Sequence, residues 1–332
     1  MKISIQSLKQ QIAEILAKNM SPEHAAEVAD YFVWAEASGN KTQGIVKMTG
    51  TEPIQEIVPK YDLKVERDTK LSRLIDAGAN PAPLAARVGT DVAIDKAKAH
   101  GFGLVGIHNT FSSNGAQAYY VEQIAKHDLI GVMCSRSPAA VAAFGGIEPV
   151  FGTNPIGFGF PTNDDPLIFD TATSAMTFYG LVLAKARGEK IPEGLAIDKN
   201  GELTVDPSEA MEGAILPFDK SYKGAGFGMV VELLAGPLAS SAWIDNKILK
   251  EEWGTLIMAI DPELLVELDI FKHNVSDMVR RLYDVRVKSG ESVVLPGERS
   301  SRSRHRAYES GTVEIDDAIA KQLVFTNSKT LR

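Results

Sequence analysis

The stretch Phe151-Gly-Thr-Asn-Pro-Ile-Gly-Phe-Gly-Phe-Pro161, continued by Leu167-Ile-Phe-Asp-Thr-Ala-Thr-Ser-Ala175, decides how this 332-residue chain is read. Gly152, Thr153, Asn154 and Pro155 make a turn of small, hydroxylated or conformationally fixed residues. Glycine there lets backbone approach a ligand closely, and the proline stiffens the exit. Leu167, Ile168 and Phe169 read as a short buried strand ending in Asp170, with Thr171, Thr173 and Ser174 following as at the start of a helix. A strand that hands over to a hydroxyl-rich helix start presents free N–H groups and short donors, which suit a phosphate or the polar edge of a ring. The same pattern also reads as a well-capped strand–helix junction with no ligand.

Outward from this stretch, the chain alternates strands and helices. Leu8, Ile12, Ile15 and Leu16 mark one face of an amphipathic helix. Ser21-Pro22 opens a second, with a capping hydroxyl and proline at the first helical position, and Gly39 stops it. Pro53, Pro59, Pro81 and Pro83 break up a region of short strands and crossings. Residues 91–100 read as a helix, and Gly101-Phe-Gly-Leu-Val-Gly106 matches the glycine-rich dinucleotide fingerprint only formally. That fingerprint follows a strand and opens a helix, whereas here a helix precedes it and Leu104, Val105 and Ile107 are the strand. Residues 116–125 read as a helix carrying Tyr119 and Tyr120, and residues 129–134 as a strand. Lys223-Gly-Ala-Gly-Phe-Gly228 opens a helix over 229–239. Asp261-Pro262 starts a helical stretch with Leu265, Leu268, Ile270 and Phe271 as core, and residues 293–298 read as a strand running into a loop. The alternation implies an α/β protein.

Composition bounds the function. Hydrophobic residues make up 44% and charged ones 23%, ordinary for a globular protein, and a net charge of -8 argues against nucleic acid or an anionic membrane as partner. The single cysteine, Cys134, excludes an internal disulfide and a cysteine-rich metal site and fits a reducing cytoplasm. Residues 1–10 are too polar for a signal peptide, and no apolar run is long enough to span a bilayer. Asp164, Asp165 and Asp261 lack clustered ligand spacing, so no metal is expected.

Four signals in order, Gly152-Thr-Asn-Pro155, Asp170-Thr-Ala-Thr-Ser174, Lys223-Gly-Ala-Gly226 with Glu232 and Gly236, and Pro296-Gly-Glu298, resemble the malate/L-lactate dehydrogenase family of NAD(P)-dependent oxidoreductases, the sulfolactate dehydrogenase-like group. Weaker similarity covers most of the chain. The resemblance implies a non-Rossmann α/β fold with a central nucleotide-binding domain (116–299), and a helical N-terminal region. Residues 1–115 together with 300–332 then form a substrate and dimerisation domain. It further implies a cytoplasmic homodimer and hydride transfer between NAD or NADP and a small anionic 2-oxo or 2-hydroxy acid.

The family's Ser-His-Gly signature, whose histidine protonates the substrate oxygen, aligns with Thr42, Gln43 and Gly44. The arginine that binds substrate carboxylate aligns with Lys47. An amide does not titrate near neutral pH, and a positioned acid contributes roughly 10²–10⁴-fold, so Gln43 leaves the proton to another group. Lys47 keeps the charge but not the bidentate fork. A second family histidine is replaced by Ser113, which suits a hydrogen bond to the nicotinamide amide or to the substrate but does not titrate usefully. His108 is the substitute acid nearest in sequence, with Lys41 and Tyr119 as further candidates. A substrate needing no external acid, such as a cyclic imino acid, resolves the gap differently. A nucleotide-binding pseudoenzyme is the reading from another class.

On the cofactor side, the resemblance assigns contacts to Thr153, Asn154, Phe169, Asp170, Thr171, Ala172, Thr173 and Ser174. Lys223 and Gly224 would take phosphate or ribose, and Gly297, Glu298 and Arg299 would close over the adenosine end. Arg299, Arg302, Arg304, His305 and Arg306 form a basic cluster that either neutralises cofactor phosphates, favouring NADP, or lies in a solvated loop paired with Glu309 and Glu314.

Overall fold

The computed structural model describes residues 1–50, 53–244, 251–317 and 319–320. β1 (Lys2–Ser4) leads into α1 (Ile5–Leu16), where the Ser4 hydroxyl accepts the Ser7 N–H. α2 (Pro22–Ala37) opens at Ser21, whose hydroxyl accepts the His24 N–H. Leu8, Ile12, Ile15 and Leu16 join Ala25, Val28, Ala29 and Phe32 in the main core, as the sequence spacing requires. Each Leu, Ile, Val or Phe among them contributes about 1.5–3 kcal/mol on burial.

β2 (Lys64–Asp68) and β3 (Ser72–Asp76) are followed by α3 (Ala82–His100), β4 (Phe102–Thr110), α4 (Gln117–Ala125) and β5 (Ile130–Arg136). α3 begins well before Asp91, because Pro83 sits in its first turn, where proline starts a helix rather than breaking one. β6 (Val141–Ala142), β7 (Pro149–Phe151), β8 (Ile156–Phe160) and β9 (Leu167–Thr171) precede α5 (Phe178–Arg187). No helix starts at Thr171: β9 runs through it, Ser174 bridges to Pro217, and α5 begins only after Thr177, whose side chain accepts the Gly180 N–H.

β10 (Ala196–Ile197), β11 (Leu203–Thr204), α6 (Pro207–Glu212) and β12 (Ala214–Ile215) complete a small unit, and α7 (Tyr222–Ala235) follows. The glycine-rich 223–228 segment lies inside α7 instead of leading into it, since Ser221 and Asp219 cap the helix ahead of those glycines. β13 (Trp253–Ile260), α8 (Leu268–Tyr283), α9 (Glu298–Ser310) and β14 (Thr312–Glu314) end the described elements. Two expectations fail here. Leu265 and Ile270 are exposed, not core. Residues 293–297 join no ladder and lead into α9, which carries the whole Arg299–Arg306 cluster on a helix rather than a loop.

Among the described residues, the main sheet has seven strands in the order β2-β3-β4-β13-β5-β8-β9, and the small unit has five in the order β11-β10-β12-β6-β7. Strands of the main sheet come from both sides of residue 115. The helix–strand alternation suggested parallel pairing, yet in the main sheet only β3 and β4, joined through α3, are parallel. β13 lies antiparallel to both β4 and β5 and fills the sheet's centre. Side chains alternate across it: Val105, Ile107, Met133, Ile257 and Ala259 join the main core with α3 and α4, while Cys134 and Leu256 face Val231 and Ala235 of α7.

The glycines of 151–161 serve this packing. A Cβ on Gly159 would lie 2.3 Å from the Val121 carbonyl of α4, and one on Gly152 would lie 2.1 Å from Ser137 Oγ. Close approach is indeed why glycine stands at Gly152, but the neighbour is the protein's own backbone and side chain, not a ligand.

Candidate active site

A cleft of about 860 Å³ opens where β5, β8 and β9 end against the five-stranded unit. Gln43, Lys47, Ser113, Thr153, Asp170, Thr171 and Ala172 all line it, so the fold brings together most of the residues singled out in the sequence. Arg136, Tyr179, Trp243, Glu251 and Trp253 line it as well.

The loop carrying Gln43 and Lys47 is held from α2. Buried Glu36 accepts the Ile45 N–H at 2.9 Å and pairs with Lys41 at 2.8 Å. The buried Tyr31 hydroxyl donates to the Gln43 carbonyl and accepts the Ala116 N–H, both at 2.8 Å, which ties the loop to the start of α4. Gln43 Oε1 is enclosed with no donor against it. The Lys47 ammonium lies 5.4 Å from the centroid of the Tyr179 ring. Ser113 Oγ accepts the Gly115 N–H at 3.0 Å.

Asp170 lines the same cleft from β9. α4 has no side-chain cap of its own at Ala116, and Asp170 supplies one from β9 by accepting the Ala118 N–H at 3.0 Å. Burial pushes its carboxyl up to about 6, and the Ala118 and Gln117 N–H groups hold it from rising further. Among the described residues lining the cleft, this is the carboxyl whose titration is moved closest to neutrality.

Arg136, the last residue of β5, is a buried arginine on the cleft wall. It donates through Nη1 to the Glu252 carbonyl, and its Nε sits 3.4 Å from Glu232 Oε1. Neither of those last two atoms makes a hydrogen bond. Sequence reasoning missed Arg136, although a charge at the end of an apolar strand was a visible signal, since arginine is almost never fully buried unless paired.

The other expected site residues lie elsewhere or face inward. His108 does not line the cleft; it sits on β4 with Nε2 2.9 Å from Glu66 and Nδ1 3.8 Å from Glu252. Asn154 is fully buried and donates to the Gly228 carbonyl and to Glu232. Thr173 donates to the Asn154 carbonyl and Ser174 to the Met176 carbonyl, so these side chains hold the turn together. Phe169 stacks on Phe158 at the exposed face of β9. Lys223 and Gly224 stand in the first turn of α7 with their N–H groups already accepted by Ser221 and Asp219.

Gly297 and Glu298 line a second cleft of about 580 Å³, which shares Asn40 and Asp170 with the first. Arg299, beside them, is exposed. Within the basic cluster, Arg302 pairs with Glu298, Arg304 with buried Glu122 while lying over Trp34, and His305 with Asp165. Among the described residues, no group of three or more His, Cys, Asp or Glu side chains is placed to hold a metal, and no helix is long and apolar enough to cross a membrane.

An open mixed sheet with a cleft at its strand ends, walled by two acids and two cations, defines an α/β enzyme for a small polar substrate. The family model for malate/L-lactate dehydrogenase matches residues 3–324. The malate/(S)-sulfolactate dehydrogenase of Methanothermus fervidus is 34% identical, over 97% of this chain and 96% of the relative. The sulfolactate dehydrogenase structure from Methanocaldococcus jannaschii superposes with a TM-score of 0.85 at 30% identity, covering 97% of this chain and 95% of that one. The Δ1-piperideine-2-carboxylate reductase structure from Pseudomonas syringae gives 0.85 at 29% identity, covering 97% and 98%. The chain belongs to the malate/L-lactate dehydrogenase family. It is a dehydrogenase that uses a nicotinamide cofactor.

Proposed function

We propose that this protein transfers a hydride between the nicotinamide cofactor and a small 2-oxo or 2-hydroxy acid in the 860 Å³ cleft, with Asp170 holding the proton that Gln43 cannot. The observation that carries this reading is the position of Asp170, a mostly enclosed carboxyl that lines both clefts, the first together with Gln43. The donor set fits a dinucleotide: the hydroxyls of Thr153 and Thr171 suit ribose and phosphate, and the enclosed Gln43 Oε1 lacks a donor that a carboxamide or hydroxyl would supply. When bound, the nicotinamide gives or takes the hydride.

The chain's own residues do the rest. Gln43 orients the substrate oxygen, Lys47 balances its negative charge, and Asp170 delivers a proton during reduction and receives one during oxidation. Tyr179, Trp243 and Trp253 keep water from the reacting carbon. Thr153, Thr171 and Ala172 border the nicotinamide end, and Gly297 and Glu298 lie toward the adenosine end. Three members of the basic cluster are already paired with carboxylates, which favours NAD over its 2′-phosphorylated form. The exposed stripe Phe227, Val230 and Leu233 on α7, continued by Leu238 and then by Trp243 and Ile244, which line the cleft, supports a homodimer that shields the cleft.

Titration with NADH and NADPH, followed by nicotinamide fluorescence and then by rates on 2-oxo acids, tests the reading. Binding of neither coenzyme sinks it. A cyclic imino acid arrives already protonated, so reduction of such a substrate that is indifferent to Asp170→Asn, alongside loss of 2-oxo acid reduction, would make the imine the physiological class.

A further inference from the structure

We infer that Arg136 is the residue that grips the substrate's carboxylate, supplying from the end of β5 the bidentate fork absent at Lys47. The inference rests on the functional reading above and names a contact within that same cleft. A guanidinium carries five N–H donors in a rigid fork matched to a carboxylate. Here Nη1 is given to the Glu252 carbonyl, while Nε faces Glu232 without forming a hydrogen bond. Arg136 is thus nine-tenths buried, sits on the cleft wall, and has donor capacity that the protein leaves unmet.

A purely structural ion pair would look different. Burying a guanidinium is costly unless its geometry and hydrogen bonds are complete, and this pair leaves an unpartnered atom on each side. Glu232 gives its other oxygen to Asn154, and both oxygens of Glu252 accept backbone N–H groups, from Asn109 and Ala242. Those carboxylates are committed to the scaffold. Burial also raises both of them toward the neutral acid, so they oppose an incoming anion less than two full charges would. A ligand carboxylate entering the cleft completes the fork, in the same cleft that Asp170 lines.

The test uses oxamate, an inert anionic 2-oxo acid analogue, and its neutral amide oxamide, each titrated into the full-length protein saturated with reduced coenzyme. Wild type should prefer oxamate. Arg136→Met should weaken oxamate by roughly 10- to 100-fold, the range for one charge-assisted hydrogen-bonded contact, with oxamide and coenzyme binding unchanged. Arg136→Lys should fall in between. The double variant R136M/E232Q removes both buried charges, so it guards against a misfolded single variant, and it should stay folded by thermal melting yet show the same loss. Retention of the wild-type oxamate preference in R136M/E232Q overturns the inference, as does a wild type that does not distinguish the two compounds. If reduced coenzyme itself fails to bind, the dehydrogenase site reading falls, and this inference with it; if coenzyme binds and Arg136 is indifferent, only this inference falls.

Discussion

Two walls of the cleft present their polar groups on different kinds of backbone. The loop over residues 40–47 presents Gln43 and Lys47 on a segment tied down by Tyr31 and Glu36 from α2. The strand-end wall presents Asp170 and Arg136 on β9 and β5, inside a hydrogen-bonded sheet. The loop has an amide where the resemblance expects an acid, whereas the strand ends hold two ionisable groups tied into the fold, Asp170 as the cap of α4 and buried Arg136 as donor to the Glu252 carbonyl. Lys47 on the loop is buried as well, so a charge on either wall must be held by partners. An acid absent from the loop is therefore sought among the ionisable groups held at the strand ends.

The comparison breaks most sharply at Asp170. Asp170→Asn should lower kcat for 2-oxo acid reduction by roughly 10²–10⁴-fold while coenzyme affinity stays within a few-fold. In wild type, reduction needs the protonated acid, so its rate should fall as pH rises through about 6, and the oxidation rate should rise over the same range. A flat profile between pH 5 and 7 returns the proton to some other group.

The same variant should be more stable than wild type. The folded carboxyl titrates at about 6 against an ordinary 3.8, so the folded chain holds that proton more tightly than the unfolded one. Its contribution is therefore complete below about 3.8 and lost as pH rises to about 6, a loss of up to about 3 kcal/mol at neutral pH. Asparagine still accepts the Ala118 N–H without the charge. Thermal melts at pH 7 should show Asp170→Asn above wild type by an amount that vanishes near pH 4.

Smaller effects belong to the loop. Tyr31→Phe leaves the Ala116 N–H buried without its acceptor and frees the Gln43 carbonyl, at about 1–3 kcal/mol of stability. It should also raise KM more than it changes coenzyme binding, measurable by denaturant unfolding and steady-state rates. Gln43→His should gain less than tenfold in 2-oxo acid reduction, because Asp170 already provides the proton. A hundredfold gain would move the acid's role back to the loop.

How far the sequence reached depended on how local the cause was. α1 and α2 were legible because Ser4, Ser21 and Pro22 cap them and their apolar spacing is periodic. The turn at Gly152–Pro155 was found, but its glycine answers to Ser137, on a strand end brought there by the sheet. Lys223–Gly228 was misread because glycine disfavours helix locally, while Gly224 and Gly228 are buried where α7 packs and tolerate no larger side chain freely. Leu265 looked like core by composition, yet it has no element over it. Most of all, Asp170 caps a helix that begins over fifty residues earlier, at Gln117. Nothing in the spacing around Asp170 announces that partner, so its shifted titration was invisible in sequence.

The placement of β13 sets a schedule for making the protein. β4 ends at Thr110, and its neighbour in the sheet begins at Trp253; their Thr110 to Trp253 hydrogen bond spans 143 residues. At a synthesis rate of about 5–20 residues per second, the facing edges of β4 and β5 wait roughly 7–30 s for the strand that joins them. During that wait both edges are open to pairing with other chains. Arg136 likewise meets the Glu252 carbonyl only when β13 docks, so the cleft is assembled last. Ribosome-bound chains stopped before residue 253 should therefore be the species that most needs a chaperone.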